Sequence, residues 1–232
     1  MKLVIFNGSP RYKKSNSKIL TEQFLLGYNK IYSDAVPVYY LANLKRREEQ
    51  TEAFLNAETV IFIFPLYTDC MPGIVKEFFE RIAELKFTRS KKIGFVVQSG
   101  FPEAIHSVYV ERYLNKFTER LQCEYLGTVI KGGVEGIQMM PPWMTNKLFT
   151  KFEKLGEYFA KNEVFSEEIS NTLRKPFKLS KMRRVVFTAM IKTGWANFYW
   201  NSNLKKNGAF ENRFNKPFEE KTHYIPQLKS II

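Results

Sequence analysis

The sequence predicts an α/β fold: a doubly wound, five-stranded parallel sheet with helices on both faces, followed by a basic, partly helical C-terminal extension. Three observations lead there. Strand-like runs alternate with helical-period segments five times within residues 1–162. Three of the runs, Lys2–Phe6, Thr59–Phe64 and Lys92–Gln98, are apolar on both faces, as strands covered on both sides by helices must be. The chain is 44% hydrophobic with 21 Phe, ample for the core of such a domain.

The elements follow in order. Lys2–Phe6 (KLVIF) stops at Asn7-Gly8-Ser9-Pro10, a cluster of turn residues. Ser17–Lys30 places Ile19, Leu20, Phe24, Leu25 and Tyr28 at helical spacing. Ala35–Leu41 reads as the second strand and Glu48–Ala57 as a short helix. Thr59–Phe64 (TVIFIF) is β-branched and aromatic without a charge, the clearest strand of the chain, and Pro65 ends it. Gly73–Leu85 is a helix with Ile74, Phe78, Ile82 and Leu85 on one face. Lys92–Gln98 is the fourth strand, Pro102–Leu121 a helix and Tyr125–Lys131 the fifth strand. Thr145–Ala160 closes the domain, with Leu148, Phe152, Leu155 and Phe159 at the helical repeat.

After residue 162 the pattern changes. Glu163–Thr172 is polar and reads as a linker. In Ser180–Asn203, read as one helix, Met182, Val185, Val186, Ala189, Met190 and Thr193 share a face beside Lys181, Arg183 and Arg184. The chain carries 36 Lys and Arg against 23 Asp and Glu, and residues 166–232 hold 13 of the basic and 5 of the acidic residues. Such a balance suits anionic partners. Residues 163–232 are expected to pack on the core or a partner subunit. Contact with an anionic membrane surface is the second reading. Nucleic acid is not expected, because the aromatics, Trp195 and Trp200 among them, follow helical spacing rather than forming stacking platforms.

Two cysteines, Cys70 and Cys123, without a CxxC, argue against a disulfide framework, a thiolate metal site and an iron–sulfur cluster. His106 and His223 lack metal-ligand spacing, so surface or packing roles are expected and no metal is. The N-terminal apolar run is too short for a signal peptide or a membrane span, which makes the cytoplasm the expected compartment.

In an open parallel sheet, ligands bind beyond the carboxyl ends of the strands. The first such end is Asn7-Gly8-Ser9-Pro10-Arg11-Tyr12-Lys13-Lys14-Ser15-Asn16-Ser17, which leads straight into a helix. A helix start offers unpaired N–H groups and partial positive charge, which suits a phosphate. Ser9, Ser15 and Ser17 add hydroxyls, Asn16 an amide and Arg11 a fork of charged donors. Neither GxGxxG nor GxxxxGK[ST] is present, so neither the dinucleotide fingerprint nor the P-loop applies. The other reading of the loop is a hydroxyl-rich turn in which Ser15 or Ser17 is an ordinary helix cap.

Gly8-Ser9-Pro10-Arg11 with Ser15-Asn16-Ser17 resembles the FMN-phosphate loop of the flavodoxin-like NAD(P)H-dependent FMN reductase and NAD(P)H:quinone reductase family. Two further segments match that family in order: Pro65-Leu66-Tyr67-Thr68-Asp69-Cys70-Met71-Pro72-Gly73, followed by a helix with Arg81, and Gln98-Ser99-Gly100-Phe101-Pro102-Glu103 after the fourth strand. The resemblance covers roughly residues 1–160. It implies a flavodoxin-like domain over 1–162 that binds FMN, takes hydride from NAD(P)H as co-substrate and reduces a small acceptor such as a quinone, azo or nitro compound. It also implies a homodimer. The phosphate would sit on Ser9, Ser15, Asn16 and Ser17, with Arg11 adding charge or pointing to solvent. Pro65, Leu66, Tyr67, Thr68 and Asp69 would run along the isoalloxazine ring, and Ser99, Gly100 and Phe101 would face its N1–O2 edge.

The flavin carries the chemistry, so no protein nucleophile is needed and no essential acid or base is assigned. Tyr67 and Asp69 are the candidates to assist proton delivery. Tyr67 could equally pack over the sheet edge, and Asp69 could cap the following helix. Cys70 is expected to be a small packing residue and Arg81 to pair with a helix neighbour. The segment from Lys131-Gly132-Gly133 to Pro141-Pro142-Trp143 is either a wall of the substrate pocket or a connecting loop. Two alternatives to the reductase stand: a flavodoxin-type electron carrier without its own NAD(P)H activity, against which the basic charge counts, and a binding module with a vestigial flavin site.

Overall fold

The computed structural model describes residues 2–85, 91–194 and 197–216. Five strands, β1 (Leu3–Asn7), β2 (Val38–Tyr40), β3 (Thr59–Pro65), β4 (Lys92–Gln98) and β5 (Glu124–Lys131), form one all-parallel sheet in the order β2-β1-β3-β4-β5. The expected flavodoxin-like, doubly wound sheet is therefore present. Five helices cover it: α1 (Asn16–Tyr28), α2 (Arg47–Asn56), α3 (Gly73–Ala83), α4 (Val108–Arg120) and α5 (Pro142–Asn162).

Strand alternation sorts the apolar residues into two cores. Val60, Phe62 and Phe64 of β3 point to the layer of α2, α3 and α4, where they meet Phe54, Phe78, Phe79 and Phe117. Ile61 and Ile63 point the other way, to Leu20 and Phe24 of α1 and Phe152, Leu155 and Phe159 of α5. Every residue of β1 and β3 is buried, which is why these strands read as unbroken apolar runs.

The helix boundaries differ from expectation in informative places. The segment Pro102–Leu121 is not one helix. Ala104–Ser107 makes a 3₁₀ turn and α4 starts at Val108. Glu163–Thr172, read as a linker, contains instead a short helix, α6 (Glu167–Leu173), capped by Ser166, whose side chain accepts from the Ile169 amide. Leu173 is buried in the α1–α5 core, and Phe165 and Ile169 pack against it. The described residues up to Leu179 form one compact unit, and those from Ser180 form a second.

Within that second unit, Ser180–Asn203 is not a single helix. It holds α7 (Lys181–Lys192), capped by Ser180, and then α8 (Phe198–Lys206). Gly194, at a φ of +76°, follows the end of α7. None of the α7 side chains is buried. Among the described residues, no helix is long and apolar enough to cross a membrane. Trp195 and His223 lie outside the described residues.

Candidate functional site

The strand order reverses between β1 and β3: α1, which follows β1, covers one face of the sheet, whereas α3, which follows β3, covers the other. A crevice must open there, at the carboxyl ends of the strands. The three loops singled out in the sequence follow β1, β3 and β4, which are neighbours in the sheet. Topology thus brings to one sheet edge residues that are far apart along the chain.

The loop after β1 is held from below by Asn7. The Asn7 Oδ1 accepts the Ser9 amide at 3.0 Å, and the Ser9 hydroxyl in turn accepts the Arg11 amide at 3.3 Å. A 3₁₀ turn at Tyr12–Lys14 then delivers the chain to α1, with Tyr12 at a φ of +51°. Ser9, Ser15, Asn16 and Ser17 are all buried at this corner.

The hydrogen bonds separate donors already in use from donors still available. Ser15 is the N-cap of α1: its hydroxyl donates to Tyr12 O at 2.7 Å and accepts the Lys18 amide at 3.2 Å. It has no proton left for a ligand. The Asn16 amide group is also engaged, donating to Val134 O at 2.9 Å and accepting from Gln138 Nε2 at 3.0 Å. Ser9 and Ser17 differ. Each hydroxyl accepts one bond, from the Arg11 amide and from Gln98 Nε2 at 3.4 Å respectively, and each keeps its own proton free to donate. The backbone amides of Asn16 and Ser17, in the first turn of α1, have no acceptor among the described residues. Arg11 is half-exposed and lies 3.5 Å from Glu135. The donor set therefore comprises two hydroxyls, two orphan amides of buried residues and one half-exposed cation.

At the end of β3 the sequence expectation is partly redrawn. Pro65 is the last strand residue, opposite Gln98, and is buried. Leu66 turns into the core, and its amide is taken by Gln98 O at 2.7 Å. Tyr67 and Cys70 exchange both backbone hydrogen bonds, at 2.8 and 3.0 Å, around a tight turn. Thr68 and Asp69 at its tip adopt φ of +50° and +59°. A left-handed conformation costs a residue with a side chain about 1–2 kcal/mol, so the turn is strained. The amides of Thr68 and Asp69 meet no acceptor among the described residues and are among the backbone donors this loop leaves unused. Tyr67 is 43% exposed. Cys70, expected to pack, is exposed instead. Asp69 does not cap α3, whose N-cap is Pro72 without a side-chain bond. Arg81 pairs with Glu77 one helical turn away, as expected.

The loop after β4 lies alongside. The Ser99 amide is consumed by Lys131 O at 3.0 Å, and the Ser99 hydroxyl donates to Phe101 O at 3.0 Å. Gly100 sits close to Glu135, whose Cβ would lie 3.3 Å from an added methyl, so its close approach is to this side chain rather than to open space. Phe101 is exposed, and its ring stacks on His106 with centroids 4.6 Å apart. His106, expected to be isolated, is not: its Nδ1 lies 3.4 Å from Asp69 Oδ1, and its Nε2 lies 3.9 Å from Glu103. Asp69, His106 and Phe101 therefore join the second and third loops.

The residues missed in the sequence are Asn7, Gln98 and Gln138. Asn7 and Gln98 end strands that are otherwise apolar, LVIFN and KIGFVVQ, and a polar residue in that position was the available signal. Gln138 braces the loop from the far side, donating to Lys14 O at 3.1 Å and to Asn16 Oδ1. The segment after β5 is thus more than a connection, since it fixes the position of the first turn of α1.

These features agree with comparisons to known proteins. Residues 1–141 match the family described by its flavodoxin-like fold. Solved structures share the fold at low identity. An FMN-dependent NADH-azoreductase from Bacillus anthracis, solved with FMN, is 16% identical over 69% of this chain and 100% of its own, with a TM-score of 0.54. An NAD(P)H:quinone oxidoreductase from Methanothermobacter marburgensis is 16% identical over 68% of this chain and 96% of its own, at 0.52. An NADPH-quinone reductase from P. pentosaceus is 16% identical over 66% of this chain and 96% of its own, at 0.50. No curated protein matches the chain. With the sheet order, the loop after β1 and the match over residues 1–141 in agreement, the chain belongs to the flavodoxin-like fold family.

Proposed function

We propose that this protein is an FMN-dependent oxidoreductase that is reduced by NAD(P)H and reduces a small acceptor such as a quinone, azo or nitro compound. The observation that carries the reading is the donor set at the head of α1. Two amides of buried residues, Asn16 and Ser17, lack an acceptor, and the hydroxyl protons of Ser9 and Ser17 remain free beside them. Orphan donors in buried residues are costly, and an anion with several oxygens is the ligand that satisfies them together. A phosphoryl group fits this requirement, so the residues present are compatible with FMN.

Ser9, Asn16 and Ser17 would hold the phosphate, the last two through their backbone amides, with Arg11 adding charge from the rim. Ser15 and the Asn16 side chain would act one step removed, by fixing the loop. The Thr68 and Asp69 amides and the exposed rings of Tyr67 and Phe101 would bound the isoalloxazine. Bound FMN would supply the redox chemistry, accepting hydride from NAD(P)H and passing the electrons on. Reduction of a quinone also consumes protons, and Asp69 and His106, 3.4 Å apart, would be the acid–base pair to supply one beside the ring. The named solved structures with this fold that act on quinones and azo compounds support the reaction class.

The test is spectroscopic. The purified protein is titrated with FMN, then mixed anaerobically with NADPH or NADH while the visible flavin absorbance is followed. Saturable FMN binding and bleaching by at least one nucleotide are expected. Ser17→Ala should weaken FMN binding by about tenfold or more, the usual effect of deleting a hydrogen bond to a charged group. Flavin that binds but stays oxidised with both nucleotides would remove the reductase reading. FMN affinity indifferent to Ser17→Ala would remove the site.

A further inference from the structure

A pocket lies in the core unit, beside the segment that follows β5. Its volume is about 260 Å³, and it shares no residue with the candidate FMN site. Four lysines line it: Lys131 at the end of β5, Lys147 and Lys151 on α5, and Lys175 after α6. No acidic side chain lines it, and none of the four makes an ion pair among the described residues. Between the lysines the wall is mixed, with Met140, Leu148 and Leu173 beside Thr145 and Thr172.

Lys131 is the least expected of these residues. Side chains two apart on a strand share a face, and Val129 on that face belongs to the α1–α5 core. Lys131 thus carries a cation where the strand pattern calls for an aliphatic side chain. Burial, and secondarily the charge of Lys151, push its pKa below the usual lysine range. Grouping unpaired cations around one pocket disfavours the free protein, and a bound counter-ion removes that cost.

We propose that this pocket binds a small organic anion, a carboxylate or phosphate ester whose apolar body lies against Met140, Leu148 and Leu173 while its charged group is met by Lys131 and Lys151. The pocket shares no lining residue with the loops assigned to FMN. The ligand is therefore distinct from the cofactor, and the inference stands whether or not FMN binds elsewhere.

Calorimetric titration of the full-length protein, presaturated with FMN, tests this with four probes: phenyl phosphate, benzoate, inorganic phosphate and neutral benzyl alcohol. Phenyl phosphate or benzoate should bind saturably, with inorganic phosphate and benzyl alcohol each weaker by at least about tenfold. Lys131→Gln and Lys151→Gln should each weaken the organic anion by a similar factor, whereas Lys45→Gln, outside the pocket, leaves it unchanged. Ser17→Ala should leave it unchanged as well, which separates this pocket from the phosphate loop. Lys131→Gln should also melt at a higher temperature in the absence of anion, because it removes a desolvated charge; that rise shows that the variant is folded. Lys151, on α5, provides the second variant should Lys131→Gln fail to fold. Absence of organic-anion binding, inorganic phosphate binding as tightly as phenyl phosphate, or binding that survives both lysine substitutions overturns the proposal.

Discussion

Gly156→Ala should destabilise the core unit severely for so small a change. α1 and α5 cross at two glycines. A methyl group on Gly156 would sit 1.8 Å from the carbonyl oxygen of Phe24, and one on Gly27 would sit 1.7 Å from that of Glu153. Neither obstacle is a side-chain tip that can rotate away. To reach 3.4 Å, the lower limit of ordinary van der Waals contact, from 1.8 Å, α5 must retreat by about 1.6 Å. That separation loosens the whole layer in which Leu20, Phe24 and Tyr28 of α1 meet Phe152, Leu155 and Phe159 of α5. Overpacking of this kind costs up to about 3 kcal/mol or more. Alanine returns about 1 kcal/mol of helix propensity, leaving a loss of about 2 kcal/mol. For a domain of this size that is roughly 4–8 °C in Tm. Thermal melts followed by circular dichroism check it, with Gly73→Ala at the start of α3 as the control, since a methyl there meets nothing within 4 Å. A Gly156→Ala protein that melts at or above the parent would refute the crossing geometry.

Two further outcomes are expected. Thr68→Gly should raise Tm by roughly 2–4 °C, because glycine relieves about 1 kcal/mol of strain at a φ of +50°; a lower Tm would mean that the Thr68 side chain holds the turn rather than suffers it. Burial pushes the Tyr28 phenol from 10.0 up to about 12, so the folded state keeps a proton that the unfolded state has lost across that interval. The resulting stability is fully present below pH 10 and lost as pH rises toward 12. Tyr28→Phe should remove that part of the slope in urea titrations, and identical slopes for parent and variant would contradict it.

The strands were legible because burial on both faces leaves no room for ambiguity. LVIF and TVIFIF have no polar face to offer, and the structure buries every one of these residues. α6 was less visible. Its contacts with the core come from Phe165, Ile169 and Leu173, a stripe at spacing four within an otherwise polar stretch. That spacing is a helical signal, but three residues were outweighed by the composition around them. The break between α7 and α8 was obscured because apolar residues occur on either side of Gly194.

The candidate site shows a deeper limit. A sequence displays donors, whereas a ligand meets only those the fold has not already used. Ser9, Ser15 and Ser17 look equivalent in the chain, yet Ser15 gives its proton to Tyr12 O and closes the helix end, while Ser9 and Ser17 retain theirs. The Asn16 side chain looked like a phosphate donor and is committed to Val134 and Gln138. For Asn16 the distinction lies in tertiary partners more than one hundred residues away, which no local pattern reports. The same holds for Asp69 and His106, which become neighbours only because β3 and β4 are adjacent strands. It follows that substitutions in this loop should fall into two kinds. Removing the Ser17 hydroxyl should act first on ligand affinity, beyond the loss of the acceptor it offers Gln98 Nε2. Removing that of Ser15 should act on stability first, because an N-cap is worth about 1 kcal/mol whether or not a ligand is bound.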